Sequence, residues 1–386
     1  MDREAWGWQN ERRVRCPRCG SLDTKRHGRT SSAPAGLGGS LGSLQRFLCR
    51  DCGRSFTQPP RSAAPRARFA DDVVEEAVRL YVQGLPSYRI LSVLLEQRLG
   101  RQIGRVTLNG WVDDLGGRAK TPLEVSAELR PPGWSGFLGV DGKAIYIRGQ
   151  EAALVVGVDQ GSRDVVHAVV SEIEGEEAFE RLVREAVTEA GYPLKGLVMD
   201  AAAPFLAAHA NYFARVPLQL CRIHASRRLD YVIPKAKFSP DAPLRAEFKD
   251  RVRAVLFAPT EDEARRVFGE LLADRDRYDG LGRRDTLGAM ERTLGLYLTH
   301  HRVEGMPADA NVTENVIKQL GKKLRLMEGF ASLASAERFS RLLVGCYRFK
   351  RFTDSTRRRD GNGKSPLQLA GADTGGIDWL RFLLRG

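Results

Sequence analysis

Apolar side chains recur along this chain at two periods. Val73, Val74, Ala77, Val78, Leu80 and Tyr81 follow helical spacing and stop at Gly84. Ser87 then caps a second helical run, Ile90, Leu91, Val93, Leu94 and Leu95, which ends near Gly100. A third, short helix is predicted from Thr107, with Leu108, Trp111 and Val112. After Pro131-Pro132 the period changes. Residues 137–149, 152–160 and 164–173 are apolar or alternating runs, parted by Gly149-Gln150 and Gly161-Ser162, and predict three antiparallel strands in a meander. A helix follows over 176–190 with Phe179, Leu182, Val183 and Ala186 on one face, then a strand at 194–200, a helix at 201–213 and a strand at 216–221. Residues 225–305 read as helical throughout. The stretch 308–329 reads as one more helix, burying Val316, Ile317 and Leu320 and capped by Asn311.

Three antiparallel strands followed by alternating helices and strands describe an α/β fold, a mixed sheet of ribonuclease H type over 131–370 with a helical insertion at about 225–305. Ahead of it, residues 61–125 fit a helix-turn-helix, residues 1–60 form a separate cysteine-bearing module, and 371–386 are a C-terminal tail. The Pro/Arg-rich stretch 57–68 reads as a linker between the first two. A length of 386 residues suits two or three domains, and a composition of 42% hydrophobic and 28% charged residues excludes wholesale disorder. No apolar stretch is long enough for a membrane span. The opening MDREAWGWQNERR places charges and Trp where a secretory signal has its apolar run. The expectation is a soluble, cytoplasmic protein of a prokaryote, associated with the nucleoid.

Charge sharpens that expectation. Residues 1–68 hold 14 basic and 5 acidic side chains, residues 315–386 hold 15 and 6, and the stretch between them holds 32 and 37. Basic ends around a mildly acidic centre suit a polyanion binder whose middle keeps its carboxylates for another use. Arg105, Thr107 and Asn109 lie at the end of the third helix that would meet a DNA major groove; the alternative is a small helical bundle that only packs.

Four of the six cysteines form two C-x-x-C pairs, Cys16/Cys19 and Cys49/Cys52, each followed by a glycine (Gly20, Gly53) that lets the backbone turn both thiolates toward one ion. That spacing predicts a closed structural zinc site, a zinc ribbon, with Phe47 and Phe56 flanking the second knuckle and the low-complexity 31–43 as its hairpin tip. Asp141 follows Phe137-Leu138-Gly139-Val140 and Asp200 follows Leu197-Val198-Met199, on strands that neighbour each other in the expected sheet. Two Asp side chains at adjoining strand ends can bridge hard, oxygen-seeking cations. The third ligand is expected from the helix after the last strand, where Glu314 competes with Glu304, Asp309 and Glu328. Asp159 and Asp164 read as turn residues. Cys221 and His224 read either as a buried thiol with a hydrogen-bonded His, or as half of a second zinc site completed by Cys346, His300 or His301.

The ordered set of cysteine pairs, short helices, Asp141-Gly142, Met199-Asp200 and Thr313-Glu314-Asn315 resembles a DDE-class insertion-sequence transposase. Cys221-Arg222-Ile223-His224 resembles the C-x-x-H signature of the Mutator-like group, and residues 327–353 are similar to the tail after the catalytic Glu in several bacterial families. The likeness covers most of residues 14–370. It implies a DNA transposase that binds element ends, nicks DNA and transfers the strand with two Mg²⁺ (or Mn²⁺) ions per active site. Asp141 would bridge the ions, and Asp200 and Glu314 would complete one site each. Partners would be the element ends and target DNA, met as a homodimer or higher oligomer, with no membrane involved. Lys143 and Arg148 beyond Asp141, and Lys318, Lys322, Lys323 and Arg325 along the helix after Glu314, are candidate phosphate contacts. Two other readings stand beside this one: a metal-dependent nuclease or resolvase that cuts without joining, and a non-catalytic DNA-binding regulator derived from a transposase.

Overall fold

The computed structural model describes residues 14–30, 35–37, 39–40, 44–57, 68–84, 86–234, 238–282, 285–353 and 359–385. The N-terminal 1–13, most of the 57–68 linker and much of the 31–43 loop lie outside them. The chain divides into two units, Met1–Asp114 and Leu115–Gly386. The cysteine module and most of the helical segment, expected as separate domains, therefore share the first.

In the first unit β1 (Thr24–Thr30) is followed by two-residue strands β2 (Ala35–Gly36) and β3 (Gly39–Ser40), then β4 (Leu44–Cys49) and β5 (Ser55–Thr57). β1, β4 and β5 make an antiparallel sheet in that order. Three helices follow, α1 (Asp71–Gln83), α2 (Tyr88–Leu99) and α3 (Arg105–Arg118). Ser87 Oγ accepts the Ile90 N–H at the start of α2, and left-handed Gly100 ends it. α1 buries Val73, Ala77, Val78 and Tyr81 as its pattern predicts. On α2 only Leu91 and Leu95 of the five apolar positions are buried; Ile90, Val93 and Leu94 are exposed, because their half-turn offset carries them off the packed face. α3 begins two residues before the predicted Thr107, so Arg105, Val106 and Thr107 form its first turn.

The second unit begins with α4 (Pro122–Leu129), opened by a Thr121–Glu124 capping box. The meander follows as β6 (Phe137–Ile147), β7 (Gln150–Asp159) and β8 (Val165–Ser171), then α5 (Glu176–Thr188), β9 (Gly196–Met199), α6 (Ala203–Tyr212) and β10 (Leu218–Leu220). The five strands form one mixed sheet in the order β10-β9-β6-β7-β8, with β10, β9 and β6 parallel and β7 antiparallel to both its neighbours. The fold is therefore mixed α/β. The insertion is helical as read, comprising α7 (Arg222–Val232), α8 (Ala242–Leu256), α9 (Glu261–Ala273), α10 (Thr286–Tyr297) and the short α11 (Thr299–Arg302), before α12 (Asn311–Arg325) and α13 (Leu333–Phe349).

Side chains alternate across the sheet, so β6 and β9 divide their residues between two faces. Leu138, Val140, Leu197 and Met199 join the main core with Phe179, Leu182, Val183 and Ala186 of α5 and the apolar sides of α8 to α10. Each fully buried Leu or Phe there contributes about 2 kcal/mol of transfer free energy. Phe137 and Val198 face the other way, into a small cluster with Cys221, Met306 and Ala310 under the start of α12.

Several expectations are corrected. The N-cap of α12 is Ala310 and Asn311 is its first helical residue; the Asn311 N–H is taken by Asp309 Oδ1 at 3.1 Å, so Asp309 does the capping work. The C-terminal stretch is not a loose tail: a helix at Trp379–Leu384 buries Trp379, Leu380, Phe382 and Leu383, and Phe382 meets Phe349 of α13 at 5.3 Å between ring centres. Asp159 and Asp164 do bracket the β7–β8 turn as read, and both are buried as well. Asp159 accepts from Ser135, Ser162 and the Tyr192 hydroxyl, and Asp164 forms a fully buried pair with Arg348 of α13 (2.7 Å). Deleting either partner of that pair would strand a buried charge at a cost of about 3–5 kcal/mol. Among the described residues no helix is long and apolar enough to cross a membrane.

Candidate active site and cysteine centre

The cysteine centre is assembled by backbone turns. Gly20 N–H donates to Cys16 O at 2.9 Å and Gly53 N–H to Cys49 O at 3.1 Å, and both glycines have positive φ (75° and 68°), so each C-x-x-C closes into the same knuckle. Thr24 pairs with Cys49 across β1 and β4, which brings the knuckles together. Cys16 Sγ lies 3.7 Å from Cys52 Sγ and Cys19 Sγ 3.6 Å from Cys49 Sγ. Phe47 and Phe56 stack beside them at 5.8 Å. Burial works against the Cys16 thiolate, but backbone N–H groups of the knuckle outweigh it and bring the thiol down to about 7. All four ligand atoms lie within 4.8 Å of one another, and among the described residues no other set of three or more His, Cys, Asp or Glu does so. The thiol-only donor set and its closure are compatible with a structural Zn²⁺.

The acidic site is built from more distant pieces. β9 runs beside β6 with Phe137 opposite Gly196 and Gly139 opposite Val198; the pairing stops there, and the same offset continued two residues would bring Asp141 alongside Asp200. Asp141 lies within the eleven-residue β6, just beyond where β9 stops, and Asp200 directly follows β9. Gly139 shares the face of Asp141, and a Cβ there would fall on the Gln160 amide and the Thr313 hydroxyl. The missing side chain thus lets α12 sit down on the sheet. Gln160 Nε2 donates to Thr313 Oγ1 at 2.6 Å, with both residues buried, and Cys221 Sγ accepts the Ala310 N–H at 3.3 Å. These two ties fix the first turn of α12, and with it Glu314, over the face that carries Asp141.

The two aspartates act on each other electrostatically. Burial first, and the Asp200 charge second, push Asp141 up to about 6. Cys221 and then the two aspartates raise His224. Burial opposes ionisation of Cys221, but His224 and the Ala310 N–H outweigh it and lower the thiol. Glu314 behaves differently. Burial would raise it, yet Lys318 (3.0 Å, one turn along α12) and Arg227 of α7 (2.7 Å) hold it below the usual range. The aspartates come together and the glutamate is occupied by cations.

The chain matches no family model and no curated protein. What the site can do must be read from its own residues.

The other expected residues are distributed unevenly. Arg105, Thr107 and Asn109 are exposed on α3. Lys143 runs its stem against Gly321 of α12, two turns beyond Glu314. Arg148 stands at the β6–β7 turn, roughly 23 Å along the strand from Asp141, where its Nε donates to Ala331 O at 2.8 Å. The four cations after Glu314 do not share a face. Lys318, Lys322 and Arg325 are exposed, whereas Lys323 is buried and pushed down to about 8 by that burial. A second zinc site is not assembled among the described residues: His300 is engaged with Gln219, His301 stacks on His300 at 3.9 Å, and Cys346 is buried in α13. Of the rivals to Glu314, Glu304 and Glu328 are exposed and Asp309 caps α12.

Two residues escaped the sequence. Glu174, in the β8–α5 connection, lays its carboxyl over Gly142, where a Cβ would collide with it. Although one edge faces solvent, partial burial and then the Asp200 charge raise it. Nothing in its local pattern announces this. Arg227 had a signal, since it lies three residues after His224 on α7 and so on the same helix face.

Proposed function

We propose that the chain is a DDE-class DNA transposase, its five-stranded sheet of ribonuclease H type and its cysteine centre a zinc ribbon. The observation that carries this reading is the parallel β6–β9 pairing, which ends two residues short of Asp141 and Asp200; together with the Asp200 charge acting on Asp141, it supports one acidic site near the helix that bears Glu314. The donor set is oxygen-only, which suits Mg²⁺ or Mn²⁺ rather than a thiophilic ion. Asp141, Asp200 and Glu314 would hold the ions. When bound, they supply neutralisation of phosphate charge and activation of a water or 3′-OH nucleophile.

The remaining work belongs to the chain. Burial and the Asp200 charge push Asp141 up to about 6, so near neutral pH its carboxylate would be ionised, the form in which it would hold a cation. Thr313 and Cys221 hold the α12 start at a fixed height above the sheet. Lys318, Lys322 and Arg325 offer positive charge on the exposed side of α12, and Arg105, Thr107 and Asn109 offer polar tips at the start of α3 to a DNA groove. Joining two element ends to a target calls for two active sites, hence a homodimer or higher oligomer on DNA.

The test is a strand-transfer assay with the full chain, Mg²⁺ and pre-cleaved element ends bearing a free 3′-OH. Wild type should give joined product, and Asp141→Ala, Asp200→Ala and Glu314→Ala should each lose at least about a thousandfold of it while still binding DNA. Cutting without joining would make the chain a nuclease or resolvase. Binding with neither would make it a regulator.

A further inference from the structure

The ion pair between Arg227 and Glu314 joins two helices that are fastened by other means. α12 is already tied down through Thr313 and Ala310, and Glu314 already has Lys318 on its own helix. Arg227 Nη1 nonetheless reaches Glu314 Oε1 at 2.7 Å from a side chain that is 56% exposed. On α7, His224, Arg227 and Arg228 stand at i, i+3 and i+4 and share a face. That face begins at His224, within the field of Asp141 and Asp200, and extends to Glu314. It is a basic wall over an acidic floor.

A carboxylate that turns to a divalent cation gives up most of its hold on a guanidinium. Arg227 would then carry an unneutralised charge, mostly in water, one side chain away from the reacting groups. Its planar fork suits a phosphodiester, whose two free oxygens accept a bidentate pair. Two of the residues expected to grip phosphate cannot do so beside the acidic site: Arg148 is distant and Lys323 is buried.

We infer that Arg227 is a phosphate clamp, parked on Glu314 in the free protein and transferred to a DNA backbone phosphate beside the acidic site when Glu314 takes a metal ion. The inference rests on the transposase reading and deepens it by assigning α7 to the substrate strand. No covalent bond changes; one ion pair is exchanged for two.

The experiment uses the full chain, a fixed concentration of Ca²⁺ to occupy the carboxylates with little chemistry, and a fluorescein-labelled duplex of about 20 base pairs, titrated by anisotropy between roughly 50 and 200 mM salt. Arg227→Gln should weaken binding roughly eightfold at about 0.1 M salt and make the slope of log affinity against log salt shallower by about 0.9, the share of one phosphate contact. Arg227→Lys should keep the slope while losing part of the affinity, which also excludes misfolding as the cause. Without DNA, Arg227→Gln should bind Mn²⁺ more tightly than wild type, read by electron paramagnetic resonance. An unchanged slope overturns the clamp, and an unchanged Mn²⁺ affinity overturns the parking on Glu314. A wild-type chain that joins no ends defeats the transposase reading, while the clamp still stands or falls on its slope.

Discussion

The two clusters of ligand-type side chains are built on opposite plans. The four thiols come from two identical knuckles on one small sheet and already lie within 4.8 Å of one another. The carboxylates come from β6, the end of β9 and α12, far apart in the chain; two are pressed together and the third is held by Arg227 and Lys318. The uses proposed for the two centres account for the contrast. A structural centre gains by closing once, since every ligand it fixes adds to the stability of its module. A reactive centre must admit and release partners, so it keeps a ligand in a form that can be exchanged. Crowded aspartates and an occupied glutamate fit the reactive centre proposed for this chain.

If the cysteine centre is the permanent one, breaking it should have the largest consequence. Cys16→Ser or Cys49→Ser should release about one zinc per chain, forfeit binding energy on the order of 10 kcal/mol, and expose the amides of residues 14–57 to hydrogen exchange while those of the five-stranded sheet stay protected. Equal zinc content in wild type and both variants would remove the distinction between the two centres.

The acidic site should respond in the opposite direction, gaining stability when a ligand is deleted. Asp141 is raised from 3.8 to about 6 in the fold. The folded state therefore binds its proton more tightly than the unfolded chain, and stability falls as pH rises from about 4 to about 6. Asp141→Asn should raise the metal-free unfolding free energy by about 3 kcal/mol at pH 7, with the gain vanishing near pH 4. Urea titrations at the two pH values would show it, and a destabilised variant at pH 7 would mean that Asp141 is a fastener.

The smallest effect is expected at Lys318. Its pair with Glu314 is an i, i+4 contact on an exposed helix side, so Lys318→Ala should change stability by no more than about 0.5 kcal/mol. A loss of several times that would show Glu314 bound in place structurally, and the contrast with the thiols would shrink.

The parts legible in the sequence were those written in local pattern. Period-two and period-3.6 apolar runs located β6 to β10, α5 and α12 to within a few residues, and the paired C-x-x-C units located the thiol centre. Asp141 and Asp200 were legible because each ends an apolar run on strands that the order of elements makes neighbours. What stayed hidden depends on contacts distant in sequence. The tie from Gln160 to Thr313 spans 153 positions, and the approach of Glu174 to Gly142 and of Arg227 to Glu314 depends on how the helices settle on the sheet. Lys323 was misjudged because four cations within eight residues cannot share one face at 100° per residue. Which side of α2 packs was not legible, because an apolar run without a break does not say which third of it is buried.

The most direct measurement of the acidic site is a crystal of the full chain soaked in Mn²⁺ and examined by anomalous diffraction. Manganese should appear between Asp141 and Asp200, with Glu314 released from Arg227 and turned toward it, and the same peak should be missing from Asp200→Asn. An anomalous map with no manganese at these carboxylates, from crystals that show it elsewhere, would contradict the metal site and the chemistry proposed for it.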